Sequence, residues 1–223
     1  MVIFIPIKEI SQRVPRKNLR NLDGVPLYKK CLYKLSEYNV YVDTDSSEII
    51  DAIKSDPKLN NVTPYLRNLN LLGHDVSVCD LIKDFIITKN IKEETICQIH
   101  VTSPFLKTAT LKEANKLIKL GYDSIVACNS YQNRLWRKED YGGNPGYCPI
   151  NHNPLKLEQT QDLPVYYEEN SLFYIFQKDH FLKTNCRVGV NPYFYVCNHP
   201  ENIDIDTEDD WELVETLCRK ENK

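Results

Sequence analysis

Val2-Ile3-Phe4-Ile5-Pro6-Ile7, followed at once by Lys8-Glu9-Ile10-Ser11-Gln12-Arg13-Val14-Pro15-Arg16-Lys17-Asn18, is the stretch that decides the fold. The first part is a continuous apolar run, the pattern of a strand buried on both faces of a parallel sheet. The second carries four cations in ten residues, Lys8, Arg13, Arg16 and Lys17. In open α/β sheets, ligands bind in the crevice beyond the carboxyl ends of the strands. Lysines and arginines placed there, beside loop amides, suit a polyanion such as a nucleoside triphosphate. Charge alone leaves open the alternative of a solvated basic loop.

Outward from this start, strand and helix patterns alternate. We expect a helix from Leu27 to about Glu37, a strand at Val40–Asp43 and a helix at Ser46–Lys54 with Ser46 or Ser47 as its cap. Apolar spacing gives a helix from Val76 to about Thr88, and Ile96–Val101 reads as a strand. Thr110-Leu111-Lys112-Glu113 reads as a capping box opening a helix at Leu111–Leu120 that stops at Gly121. Strands follow at Ser124–Cys128, Leu172–Phe176 and Tyr193–Val196. Thr207 then caps a last helix with Trp211, Val214, Leu217 and Cys218 on one face. This order argues for a largely parallel sheet with helices on both faces. Between Ser130 and Pro164 the period is lost among Asn, Pro, Gly and Tyr. A structureless loop of that length would be unusual, so a short hairpin or helix reaching out is expected.

The 223 residues suffice for one sizeable core, and a net charge of −3 gives no basic field for a polynucleotide. No apolar stretch approaches a membrane span, and the N-terminus lacks the basic-then-apolar pattern of a leader. A cytoplasmic location is therefore expected. The eight cysteines show no C-x-x-C spacing and sit largely in apolar runs, so we read them as reduced and structural. The five histidines form no metal-ligand spacing.

Ser11-x-Arg13-x-Pro15-x-Lys17-Asn18, with Leu22-Asp23-Gly24-Val25-Pro26-Leu27 after it, resembles the N-terminal signature of the sugar-activating cytidylyltransferases. That group includes the N-acylneuraminate and 3-deoxy-manno-octulosonate enzymes. Tyr41-Val42-Asp43-Thr44-Asp45 resembles the end of the family's second strand, and Arg67 with Leu71 and Asp75 its "RP-x-EL-x-x-D" element. Thr102-Ser103-Pro104 is similar to "Q-P-T-S-P", and Asn170 with Tyr174-Ile175 to "N-G-x-x-Y-I". Ile203-Asp204-Ile205-Asp206-Thr207-Glu208-x-Asp210 is similar to the closing "DIDTE-x-D" of the sialic acid branch. The resemblance implies a three-layer αβα, Rossmann-like nucleotide-diphospho-sugar transferase fold over a single domain, residues 1–223, with an excursion at 130–165. It further implies CTP and a sialate-type sugar acid as substrates, Mg²⁺ as cofactor, a CMP-sugar and pyrophosphate as products, and a homodimer built on the excursion. The same fold acting on another sugar or nucleotide, or a noncatalytic binding relative, are the competing readings.

Nucleotidyl transfer needs a neutralised triphosphate, a metal bridging phosphate oxygens, and an acceptor hydroxyl held in line. Lys8, Arg13 and Lys17 are the candidates for the first task, with Ser11, Asn18 and loop amides as further donors. Lys8 replaces a family arginine and Gln12 a lysine, while Glu9, Ile10 and Arg16 stand where the family has glycines. Asp204 and Asp206 are the metal candidates, because residues i and i+2 of extended chain point to one side. Their alternative is decoration of a helix N-terminus, which Glu208, Asp209 and Asp210 also provide. Arg67, Asp75 and Ser77 are candidate nucleotide contacts, though Ser77 also fits an ordinary helix start. Asp45 either orients the loop or caps the next helix.

His100 occupies the position of the family glutamine near the reaction centre; the alternative is a buried, satisfied histidine. Gln98 lies two residues back on the same face. Gln98, Thr102, Asn170 and Tyr167 are the candidate substrate contacts. Glu168-Glu169 stands where the resemblance implies a cation for the sugar carboxylate, and Arg134, Arg137, Lys138 or Lys156 from the excursion could compensate.

Overall fold

A computed structural model describes residues 1–221 apart from Gln12, His74, Gly142 and Gly143, with backbone alone at 140, 141, 144, 145 and 221. The glutamine that replaces a family lysine, Gln12, thus lies outside the described residues. The chain runs β1 (Val2–Ile7), a 3-10 turn (Lys17–Leu19), β2 (Asn21–Leu22), β3 (Val25–Pro26), α1 (Leu27–Tyr33), β4 (Val40–Thr44), α2 (Ser47–Lys54) and β5 (Val62–Leu66). It continues through α3 (Val78–Thr88), β6 (Thr95–Ile99), α4 (Thr108–Ile118) and β7 (Ser124–Tyr131). Then come β8 (Trp136–Tyr141), β9 (Asn144–Pro149), β10 (Tyr166–Gln177), α5 (Lys178–Thr184), β11 (Pro192–Val196) and α6 (Glu208–Glu221).

Seven strands form one sheet in the order β11-β7-β10-β6-β1-β4-β5. β1 is parallel to β4 and β6, β4 to β5, and β11 to β7. β10 alone runs against its neighbours, antiparallel to both β6 and β7. From β1 the chain winds outward through β4 and β5, then returns to place β6 on the other side of β1. The strand order therefore reverses between β1 and β6, and the crevice opens beyond their carboxyl ends.

The apolar start of the chain is buried from two sides by alternation. Ile3, Ile5 and Ile7 join one core with Leu32 of α1, Ile49 and Ile53 of α2, and Leu111 and Ala114 of α4. Val2 and Phe4 join another with Leu81, Ile82 and Phe85 of α3 and Phe181 of α5. Phe4 stacks on Phe85 with ring centroids 4.7 Å apart. This is a three-layer αβα architecture. A third cluster matters more for the site: Val14 of the basic loop packs with Ile203, Ile205 and Trp211. Fully burying a residue such as Val14 contributes about 1.5–3 kcal/mol, enough to pin the loop against the acidic segment.

Several boundaries differ from the sequence reading. The first helix stops at Tyr33, and Leu35 and Tyr38 close three-residue turns instead. α4 begins at Thr108, so Thr110 and Glu113 do not form a capping box. Their side chains serve tertiary contacts: Thr110 donates to Glu201 at 2.6 Å, and Glu113 accepts from the Tyr195 hydroxyl at 3.0 Å. Leu22-Asp23-Gly24-Val25 makes a two-residue hairpin turn, Asp23 and Gly24 both having positive φ, 53° and 77°. At α6, Thr207 and Asp210 bond each other's backbone amides reciprocally, at 3.2 and 2.8 Å.

The break after Ser130 is an arm. Tyr131 and Tyr166 are the outermost paired residues of β7 and β10, so the chain leaves and re-enters side by side. Between them lies the β8–β9 hairpin.

Candidate active site

A cavity of about 250 Å³ occupies the crevice, and Lys8, Lys17, Asn18, Arg67, His100 and Thr102 line it together with Val76, Val78 and Leu81. Lys8 follows β1 directly and His100 follows β6, as the reversal of strand order requires. The Asn18 amide donates to the Lys8 carbonyl at 2.8 Å, which folds the loop back on the strand end. The Asn18 carbonyl oxygen is buried without a partner. Asp45 accepts from the Glu9 amide at 2.8 Å and so orients the loop. Ser11 is half-buried on that loop.

The basic loop and the acidic segment meet at Asp206. Arg13 donates to its Oδ1 at 2.7 Å, and the Lys17 ammonium lies 3.4 Å from the same oxygen while also donating to the Ile205 carbonyl. Asp204 is the more buried of the two acids, and its Oδ1 has no hydrogen-bond partner. Burial pushes its carboxyl above the usual range; the Thr102 hydroxyl pulls it down and neighbouring Asp206 pushes it up again. Ile203 and Ile205 face the α6 cluster, leaving the two aspartates on the other side. Among the described residues no three His, Cys, Asp or Glu side chains gather as a metal cage. Two carboxylates, one with a buried orphan oxygen, do suit Mg²⁺, which takes one or two carboxylates plus substrate phosphates.

Arg67 lines the cavity but is 2% exposed. Its guanidinium pairs with the equally buried Asp43 and donates to the Ile7 and Asp43 carbonyls, both at 3.3 Å. It thereby ties the carboxyl ends of β1 and β4 together. Asp75 is exposed, and Ser77 caps α3 by accepting from the Cys79 amide at 3.1 Å. These two flank Val76, which reaches the cavity.

His100 is held neutral. Burial and then the positive charges of Arg187 and Lys17 push its pKa down to about 4. Gln98, two residues earlier, is fully buried, and Arg187 donates to its carbonyl oxygen. That contact fixes the amide's orientation and leaves its nitrogen buried without a partner, a cost of about 1–3 kcal/mol. Arg187 also lies over the Tyr174 ring, 3.8 Å from its centroid, and the Tyr174 hydroxyl donates to Glu169 at 2.7 Å. Nothing local in the sequence marks Arg187; its partner is 89 residues away.

Asn170 and Tyr167 lie apart from this crevice. Asn170 donates to Asn129 at 3.2 Å, Asn202 donates to the same oxygen at 3.0 Å, and Tyr167 stacks on Phe194 at 5.8 Å. Asn129 and Asn202 line a second cavity of about 150 Å³. Glu168 accepts from Tyr131 at 2.7 Å and from Asn129 at 3.1 Å, and these bonds hold its carboxyl below the usual range. Three of the four compensating cations expected from the arm are engaged locally: Arg134 with the Glu158 carbonyl, Arg137 with Glu139, and Lys156 with Glu158.

Fold and site together define an αβα protein with a cation-lined crevice closed by a pair of acids, the arrangement of a nucleotide-handling enzyme. The cytidylyltransferase family model matches residues 2–223, and the chain belongs to that family. It is 30% identical to N-acylneuraminate cytidylyltransferase A of Danio rerio over 92% of this chain and 47% of that protein, spanning about half its length. It is 26% identical to CMP-N,N'-diacetyllegionaminic acid synthase of Legionella pneumophila, covering 97% of this chain and 95% of the other. Pseudaminic acid cytidylyltransferase of Campylobacter jejuni is 25% identical over the same shares. Among solved structures, CMP:2-keto-3-deoxy-manno-octonic acid synthetase complexed with CTP superposes with a TM-score of 0.68 at 14% identity, covering 99% and 98% of the two chains. That likeness shows the fold.

Proposed function

We propose that the protein couples CTP to a sialate-type sugar acid, forming a CMP-sugar and releasing pyrophosphate. The observation that carries this is the meeting of Arg13 and Lys17 with Asp206 at the mouth of the crevice. Phosphate-binding cations and candidate metal ligands are thereby held in one place by one packed cluster. Lys8, Arg13 and Lys17 bind the triphosphate and draw off its charge. Asp204 and Asp206 would hold Mg²⁺, which would supply further neutralisation of the triphosphate's charge. His100, neutral at neutral pH, accepts a hydrogen bond from the acceptor hydroxyl and orients it.

The acceptor lies toward β10 and the arm. Leu155 and Leu157 of the arm are 96% and 87% exposed, and Trp136 and Tyr147 are exposed as well. An apolar surface of that kind fits pairing with a second copy, so the reading includes a homodimer. Among the described residues no helix is long and apolar enough to cross a membrane. We place the enzyme in the cytoplasm.

A second reading keeps the chemistry but takes a neutral acceptor, and Glu168, kept ionised by Tyr131 and Asn129, favours it. Pyrophosphate release with Mg²⁺ and each of the four nucleoside triphosphates, across a panel of sugar acids and neutral sugars, separates the two. Turnover with CTP and an acid supports the first reading. Turnover with neutral sugars alone replaces it with the second, and no release with any pair leaves a binding protein.

A further inference from the structure

We propose that Arg187 selects a carboxylated acceptor, its guanidinium receiving the sugar carboxylate on the β10 side of His100 while Gln98 positions it. This rests on the functional reading above and names the residue that would give that site its substrate class.

The sheet order supplies the geometry. β6, which carries Gln98 and leads into His100, lies between β1 and β10. Lys8, Arg13 and Lys17 follow β1, on one flank of His100. Arg187 lies over Tyr174 of β10, on the other flank, and Gln98 pairs with Tyr174 across the two strands. Cations therefore stand on the β1 side and on the β10 side of the strand that leads into His100, and a transferase joining two anionic substrates needs two. The charges of Lys17, which lines the cavity, and of Arg187, held by Gln98 two residues before His100, are both felt at the His100 ring.

Arg187 is half-buried, and no ion pair with a carboxylate forms at it among the described residues. Of the nearby acids, Glu169 is bonded to the Tyr174 hydroxyl and Glu168 to Tyr131 and Asn129. Gln98 contributes nothing to packing that an apolar residue would not do better, since one side of its amide is buried unsatisfied. What it does provide is a carbonyl that fixes the guanidinium, with the Tyr174 face beneath. A guanidinium so held is preorganised for bidentate recognition of a planar carboxylate.

The test compares an acid with its C1 carboxamide, at saturating CTP and Mg²⁺. The acid is whichever of N-acetylneuraminate, N,N'-diacetyllegionaminate and pseudaminate the wild type turns over. Arg187→Gln is expected to raise KM for the acid by roughly ten- to a hundredfold, the ordinary size of a charge-assisted contact, with KM for CTP unchanged. The carboxamide should be little affected, so the wild-type preference for the acid falls toward one. Gln98→Leu should give a smaller shift in the same ratio without loss of thermal stability. Where Arg187→Gln does not fold, Arg187→Lys carries the same comparison, keeping the charge and losing the fork. An unchanged acid-to-amide ratio overturns the inference alone, as does a KM for CTP that rises with that for the acid. A wild type that turns over none of the acids overturns the functional reading and takes this inference with it.

Discussion

Arg13 donates to Asp206 Oδ1 at 2.7 Å across 193 residues of sequence, joining the loop after β1 to the segment before α6. On the proposed function, the cation that would meet phosphate and the acid that would hold metal are paired with each other. On that function the two ligands would compete with this contact from either side.

We therefore expect Asp206→Asn to abolish Mg²⁺-dependent turnover yet leave metal-free CTP binding intact or tightened, because Arg13 and Lys17 are released. An exposed pair of this kind is worth about 0–1 kcal/mol, so the gain should stay within roughly fivefold. Calorimetry in EDTA reads it directly. A tenfold loss of metal-free affinity in the variant would disprove the shared role.

The buried Arg67–Asp43 pair should behave differently. Arg67→Met leaves Asp43 charged and unpaired inside the protein, at a cost of about 3–5 kcal/mol. Adding Asp43→Leu removes the stranded acid and should recover most of that loss. Urea denaturation of the two variants measures it; a single variant within 1 kcal/mol or so of wild type would mean that the pair is not buried in solution.

His100 carries a signed dependence on pH. Its folded-state pKa is about 4, against an ordinary 6.5, so the unfolded chain takes up the proton first on acidification. Its stabilising contribution is complete above pH 6.5 and is lost progressively as pH falls toward 4. His100→Gln should flatten the stability curve in that window alone. An identical slope in wild type and variant would place the histidine in water.

Ser171 and Arg16 adopt left-handed backbone, with φ of 59° and 50°, at positions where the sequence departs from a glycine of the family pattern. A side chain there costs about 1–2 kcal/mol, offset in part by the greater freedom glycine gives the unfolded chain. Ser171→Gly should thus raise stability by up to about 1 kcal/mol. Arg16→Gly should gain less, since it also gives up the exposed pair with Glu48. Thermal melts of the two variants give the order, and a destabilised Ser171→Gly would contradict it.

Much of this was legible because it is periodic or local. The apolar run at Val2–Ile7, the alternation of Ile203 and Ile205 with two aspartates, and the capping of α3 by Ser77 each follow from short-range pattern. Thr110 and Glu113 misled for the same reason: they match a local box, but tertiary partners hold both side chains. Sequence pattern does not mark β5 and α5, because Val62–Leu66 holds a proline and an exposed end, and Lys178–Thr184 spans only two turns. The direction of β10 is set by its pairing with two distant strands. Arg187 and the Asp43 pairing of Arg67 could not be read at all, since each contact exists only once strands far apart in sequence are laid side by side.

Because Tyr131 and Tyr166 face each other where the arm departs, everything from 132 to 165 behaves as an insertion whose two ends already touch. Its replacement would require no new path through the sheet and no change at the buried roots of β7 and β10. The arm is in this sense a separable piece of chain hung on a sheet that is continuous without it. A transplanted arm from another family member, joined at that pair of tyrosines, would change the outer surface there while leaving the crevice lining as it is.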